Sequence, residues 1–190
     1  MKLHFDIDKL QKVADDFFYA TGIGIYIIAG DDFSGIKIRR TAHNPYCNAI
    51  RNAPSGRERC KISDDILFEK CKKSGKPEVH ICHGGLVNIA TPITYENEVI
   101  GYVFFYSLRE KSFEEAAVSV KDLSLDYRLL EESYYCVPEY DAGRFRSVVD
   151  LAVMLIEHVM LLNMITPTAG DNLQRAKDFI EENISNARLA

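Results

Sequence analysis

Residues 86–108 read LVNIATPIT, then YENE, then VIGYVFFYSL: two apolar runs around a short polar turn. Val87, Ile89 and Ile93 fall on one side of a period of two, the period of a strand. The second run is built from β-branched and aromatic residues, which suit a pleated surface. Together they predict an antiparallel hairpin. A hairpin this apolar buries itself only as part of a larger sheet with helices against it.

Three further runs supply that sheet. Ile23–Ala29 and Ile36–Ala42 flank the turn sequence GDDFSG and predict a second hairpin. EVHIC, ending in Gly84-Gly85, predicts a strand just before the first pair. The fold class that follows is α/β in the α+β sense. It has a mostly antiparallel sheet of about five strands, flanking helices and a long C-terminal helix.

The helices have local signals. Leu10, Val13, Phe17 and Phe18 recur at helical spacing, and Gly22 marks a stop. From Arg57 to Lys73, Cys60, Asp64, Leu67 and Cys71 share one face, with Gly75 and Pro77 at the end. Ser112 and Glu115 form a capping box. A short helical stretch spans Leu123 to Tyr134. HNPYCNAIRNAPSG reads as a loop or short helix between two prolines.

Residues 141–165 predict one long helix, stopped by Thr166-Pro167. Its Asp150, Glu157, His158 and Asn163 argue for a buried helix and against a membrane span. Phe145, Val148, Ala152, Leu155, Val159 and Leu162 form one apolar stripe. Val149, Val153, Ile156 and Met160 form a second. One stripe suits the domain's own sheet, and the other calls for a second copy of the chain, so a homodimer is expected. The competing reading covers the second stripe with the 123–134 segment.

The 190 residues carry a net charge of -5. No lysine and arginine cluster is free of nearby acids, so the chain by itself is a poor nucleic-acid binder. The five cysteines, Cys47, Cys60, Cys71, Cys82 and Cys136, are odd in number and widely spaced. With no signal peptide at the N-terminus, they predict free thiols in the cytoplasm.

Chemistry concentrates at His80, Cys82 and His83, followed by two glycines. Cys47, Cys60, Cys82, His80 and His83 are zinc-suited ligand types, but there is no CxxC pair, and neighbours on a strand point apart. A catalytic thiol needs a base and a third orienting group, which no pattern here places. A third reading is a small-molecule pocket. Gly-Gly lets backbone approach a ligand, and Tyr26, Tyr46, Tyr102 and Tyr106 offer aromatic walls. The bland alternative is that thiols and tyrosines simply pack, as expected above all of Cys71 and of Cys136 beside Val137.

The residues GRERC, then Ser63-Asp64, then Cys82-His83-x-Gly85-Leu86, then Pro92-Ile93 and Ile100-Gly101 resemble the PocR sensory domain. Cys47 matches an upstream cysteine of that family. Where the family often carries Asp after Leu-Val, this chain has Asn88. The resemblance covers roughly residues 5–165. It implies a PAS-like fold and sensing of a small organic ligand, with no enzyme activity and no cofactor. The ligand-binding candidates are Cys47, Cys60, His80, Cys82, His83 and Asn88. Metal or redox sensing by the Cys and His residues is the alternative.

The family often fronts AraC-type transcription regulators. Residues 166–190 look like a linker and the first helix of such a DNA-binding domain. On that reading residues 1–165 are the sensory domain, and DNA is met only through a missing C-terminal domain.

Overall fold

The computed structural model describes residues 3–29, 36–40, 44–139 and 142–167, and helical positions 173, 176, 177, 179, 180 and 184. The GDDFSG turn lies outside the described residues, as do the side chains of Tyr106 and Phe145.

The elements run β1 (Leu3–Phe5), α1 (Ile7–Thr21), β2 (Gly24–Ala29), β3 (Ile36–Arg40), α2 (Pro45–Asn52), α3 (Gly56–Ser74), β4 (Glu78–Ile81), β5 (Val87–Tyr95) and β6 (Glu98–Leu108). Then come α4 (Phe113–Ala116), a 3-10 turn (Ala117–Val120), α5 (Tyr127–Tyr135), α6 (Ala142–Leu161) and β7 (Ile165–Pro167). The main sheet has five antiparallel strands in the order β3-β2-β6-β5-β4. Counted within this sheet alone the order is 2-1-5-4-3, the PAS-like arrangement. The chain therefore crosses from one sheet edge, β3, to the other, β4, by way of α2 and α3.

Local chemistry forms these pieces as read. Gly22 closes α1 in the left-handed region, its N–H bonding Phe18 O. Gly75 closes α3 the same way. Ser112 and Glu115 make both capping-box bonds. Glu96 and Asn97 both have positive φ, as a two-residue hairpin turn needs between right-twisted strands.

The strand period sorts side chains onto two faces. Ile25, Ile27, Ile89, Val103 and Phe105 face α1 and α6, forming one core with Leu10, Phe17, Val148, Ala152, Ile156 and Val159. Phe17 and Phe105 meet with ring centroids 5.0 Å apart. Tyr26, Ala90, Tyr102 and Phe104 face the other way, toward Leu67, Phe68 and Cys71 of α3. A third cluster gathers Tyr46, Ile50, Leu86, Phe113, Leu130 and Tyr134 under α2, α4 and α5.

Three expectations need correction. The long helix ends at Leu161 and not at Ile165, because Asn163 turns left-handed and Met164 N–H bonds back to Val159 O. Ile165–Pro167 then pairs with Leu3–Phe5 in a separate two-stranded ribbon. The two apolar stripes of α6 are also divided differently. Val148, Ala152, Ile156 and Val159, drawn from both, are buried, while Leu151, Met154, Leu161 and Leu162 are exposed. Lastly, the helix within 123–134 begins at Tyr127, on an Asp126 cap, and joins the cluster under α2 instead of lying on α6.

Candidate functional site

The apolar face of α3 drives the site's geometry. Leu67 and Cys71 are fully buried against the sheet. Toward the N-terminal end of α3 the helix face and the sheet part around a cavity of about 130 Å³. Tyr26 and Ile28 of β2, Arg39 of β3 and Phe104 of β6 form its sheet side. Arg51 of α2 and Asp64 and Phe68 of α3 form its roof. Phe68 stacks on Tyr102 at 4.9 Å and tilts onto Phe104 at 5.4 Å, so the aromatic wall is fixed by packing.

Three charged groups border this small space: Arg39, Arg51 and Asp64. Burial pushes the Asp64 carboxyl up to about 6, against the pull of Arg51. Burial also disfavours the Arg51 charge, but Cys47, Cys60 and Asp64 outweigh it and hold the guanidinium charged.

Beside the cavity β5 and β6 lose register. Val87 pairs with Leu108 and Ile89 with Phe105, leaving an extra residue on β6. Ser107 adopts a positive φ there, and its N–H donates to Asn88 Oδ1 at 3.2 Å. The Ser107 hydroxyl lies 3.4 Å from Cys47 Sγ.

The Cys82-His83-Gly84-Gly85 turn is held from several sides. Tyr46, fully buried, donates its hydroxyl to Gly84 O at 2.7 Å. His83 N–H donates to Ser63 Oγ at 3.2 Å, and the Ser119 hydroxyl donates to His83 O. Gly85 N–H closes the turn on Cys82 O at 2.8 Å. Gly85 has φ +75°, and a Cβ there would stand 2.4 Å from Ala116 O. The glycine is thus required for backbone contact with α4.

The residues singled out in the sequence separate at this turn. Cys47, Cys60 and Cys82 pack inward against the Tyr46 and Leu86 cluster. His80 and His83 face outward, into a groove between α3 and the end of β4. The ligand-binding candidates therefore do not gather around one space: the thiols pack into the core, and the imidazoles border the groove. Among the described residues no three His, Cys, Asp or Glu side chains come together in a way that could hold a metal. Burial raises the Cys47 and Cys60 thiols and pushes Cys82 up to about 12. Cys71 is buried, as its helix face predicts, whereas Cys136 is exposed.

Arg39, Arg51, Phe68 and Phe104 were not singled out from the sequence as site residues, and Asp64 only as part of a helix face and of the Ser63-Asp64 motif. Arg51 sits in the stretch between two prolines, which left no clear helical period. The signals for Asp64 were its place between Cys60 and Leu67 on the buried face of α3 and its part in the Ser63-Asp64 motif.

A family model described as "Sensory domain found in PocR" matches residues 4–164. The chain is 28% identical over 175 residues to the Regulatory protein PocR of Salmonella typhimurium (strain LT2), covering 90% of this chain and 56% of that protein. It thus spans about half the length of that curated relative. Among solved structures, a GAF domain/HD domain protein from Geobacter sulfurreducens aligns with a TM-score of 0.42 at 11% identity, over 82% of this chain and 94% of that one.

Proposed function

The chain belongs to the PocR sensory-domain family, and from that premise we propose that it senses a small organic molecule for a cytoplasmic transcription regulator. The observation that carries this reading is the cavity under α2 and α3. It is walled by Tyr26, Phe68 and Phe104, and it brings Arg51 and Asp64 to one apolar space of about 130 Å³. Binding sites combine mostly apolar walls with a few convergent polar groups. A space this small takes a molecule of only a few heavy atoms. With Arg39 and Arg51 as donors and Asp64 as acceptor, the lining suits a small ligand with hydroxyl groups, which accept from a guanidinium and donate to the carboxylate.

The signal route follows from strand alternation. Tyr26 and Phe104 border the cavity, while their neighbours Ile25, Ile27, Val103 and Phe105 pack in the core with α6. A ligand that favours one setting of β2 and β6 therefore biases the seat of α6. Beyond it, Leu173, Phe179, Ile180 and Ile184 are helical and exposed. On this proposal residues 166–190 lead into an AraC-type DNA-binding domain, and α6 pairs two copies through its exposed stripe. Among the described residues no helix is long and apolar enough to cross a membrane. The raised thiols support packing over a nucleophilic or redox role, since the thiolate is the reactive form.

The test is a calorimetric screen of the purified chain against small neutral alcohols, diols and polyols, with Asp64→Asn and Arg51→Gln alongside. A hit that both variants weaken supports the cavity. A hit that both bind unchanged places the ligand elsewhere and defeats this reading.

A further inference from the structure

The outward groove is larger than the inner cavity, about 430 Å³, and shares none of its lining residues. Ile62 and Ile66 of α3 and Ile81 of β4 form an apolar wall. All three are exposed, at 53%, 44% and 44%. Exposed large apolar side chains gathered at one concavity mark a binding surface more than scattered ones do. Arg59, Ser63, His80, His83 and Ser119 complete the lining.

His83 is the unusual member. Both its ring nitrogens are sealed from solvent and have no hydrogen-bond partner. Buried polar atoms are nearly always satisfied, so an imidazole with neither nitrogen used needs an explanation. The neighbouring polar groups are already committed. Ser63 Oγ meets His80 Nε2 at 2.8 Å and accepts from His83 N–H, and the Ser119 hydroxyl is on His83 O. The side chain of Arg59 makes a two-pronged ion pair with the exposed Asp122.

We infer that this groove is a second binding site, for a small organic acid whose carboxylate meets the His83 ring and whose apolar body lies along Ile62, Ile66 and Ile81. The charges around His83 are Arg59, Arg51 and Asp122. Burial, then Arg59 and Arg51, hold the ring toward its neutral form against the pull of Asp122. Burial and Lys70 likewise push His80 toward its neutral form. An ammonium group would meet the Arg59 guanidinium on the groove wall, with the Arg51 charge adding to it from outside the groove. An alcohol would satisfy one ring nitrogen and gain nothing from the local field. A carboxylate gains from the arginines and lets the ring take up a proton and donate a charge-assisted bond. Binding is thus coupled to proton uptake at His83, and tightens as pH falls toward the ordinary histidine range.

The test uses the full 190-residue protein with pentanoate, 1-pentanol and pentylamine as probes, read by isoleucine-methyl and histidine-ring NMR. Pentanoate is expected to move Ile62, Ile66, Ile81 and the His83 ring, and to bind about tenfold tighter than 1-pentanol. Pentylamine should not bind. His83→Asn should weaken pentanoate by about tenfold and flatten its pH dependence. Asp122→Asn, at an exposed side chain with little bearing on folding, should tighten it by about threefold. The inference is overturned if millimolar pentanoate leaves these isoleucines unmoved, or if 1-pentanol binds there as tightly. Weakening by Asp122→Asn would overturn it too, even if His83→Asn failed to fold.

Discussion

Asn88 Oδ1 accepts the backbone N–H of Ser107, replacing the ladder bond that the β6 bulge removes. Asn88 is 6% exposed and Ser107 8%, so water is a poor substitute for this bond. Ser107 in turn places its hydroxyl on Cys47 of α2. The irregular point of the sheet is thereby tied to the helix that carries Arg51. Asn88→Ala should leave a buried N–H unsatisfied and cost about 1–3 kcal/mol. Urea unfolding measures this, and an unchanged midpoint would show that the bond is replaceable.

Two glycines with nearly the same φ should respond differently to alanine. Gly22 has φ +73° and open space around it, whereas Gly85 has φ +75° and Ala116 O in the way. Gly22→Ala should cost about 1–2 kcal/mol, the left-handed penalty alone. Gly85→Ala must also move α4, and should lose several-fold more or fail to fold. Thermal unfolding of the pair checks this; equal losses would mean that α4 yields easily.

Asp64 sets a pH signature. Its carboxyl binds a proton more readily folded than unfolded, so its stabilising contribution is present below about pH 4 and is lost as pH rises through about 6. Asp64→Asn should therefore gain on the wild type across that window, by up to about 3 kcal/mol, and hold the difference above it. Urea titrations from acid to neutral pH read this directly. A constant difference throughout would put Asp64 in water.

Thiol reactivity should follow exposure. Cys136 is exposed, while Cys71 and Cys82 are both pushed up to about 12 by burial. Iodoacetamide near neutral pH should modify Cys136 first and the other four at least about tenfold more slowly. Mass spectrometry of digests gives the order. Fast modification of Cys47 or Cys60 would revive the redox alternative.

The pairing of two α6 helices is testable at Met154 and Leu161, which are 63% and 79% exposed. The intact protein should sediment as a dimer at micromolar concentration. Met154→Asp and Leu161→Asp should give monomers that melt near the wild-type temperature. Ile156 lies in the domain's own core. Ile156→Asp should therefore unfold the chain instead of splitting a dimer. A monomeric wild type would end the pairing proposal.

What the sequence revealed was what neighbours along the chain decide. The hairpin around Glu96 and Asn97, the stops at Gly22 and Gly75 and the Ser112 cap each rest on a few adjacent residues. The end of α6 was hidden because the sequence stays apolar past Leu161, and nothing local distinguishes Asn163 as a break. The ribbon of β1 and β7 was hidden because three-residue strands are too short to show a period. The site was legible as a neighbourhood but not as a geometry. Cys82 and His83 are adjacent in the chain, but the turn after Ile81 sends the thiol inward and the imidazole outward.

Leu3 lies opposite Pro167, and Phe5 opposite Ile165, in the small ribbon beside the main sheet. Entry and exit of the fold thus share one doorway. Grafted between two adjacent residues of an unrelated host, such a cassette would leave the host's own backbone almost unbroken in space. Any twist it generates would be delivered at a single hinge instead of being spread over the length of the domain.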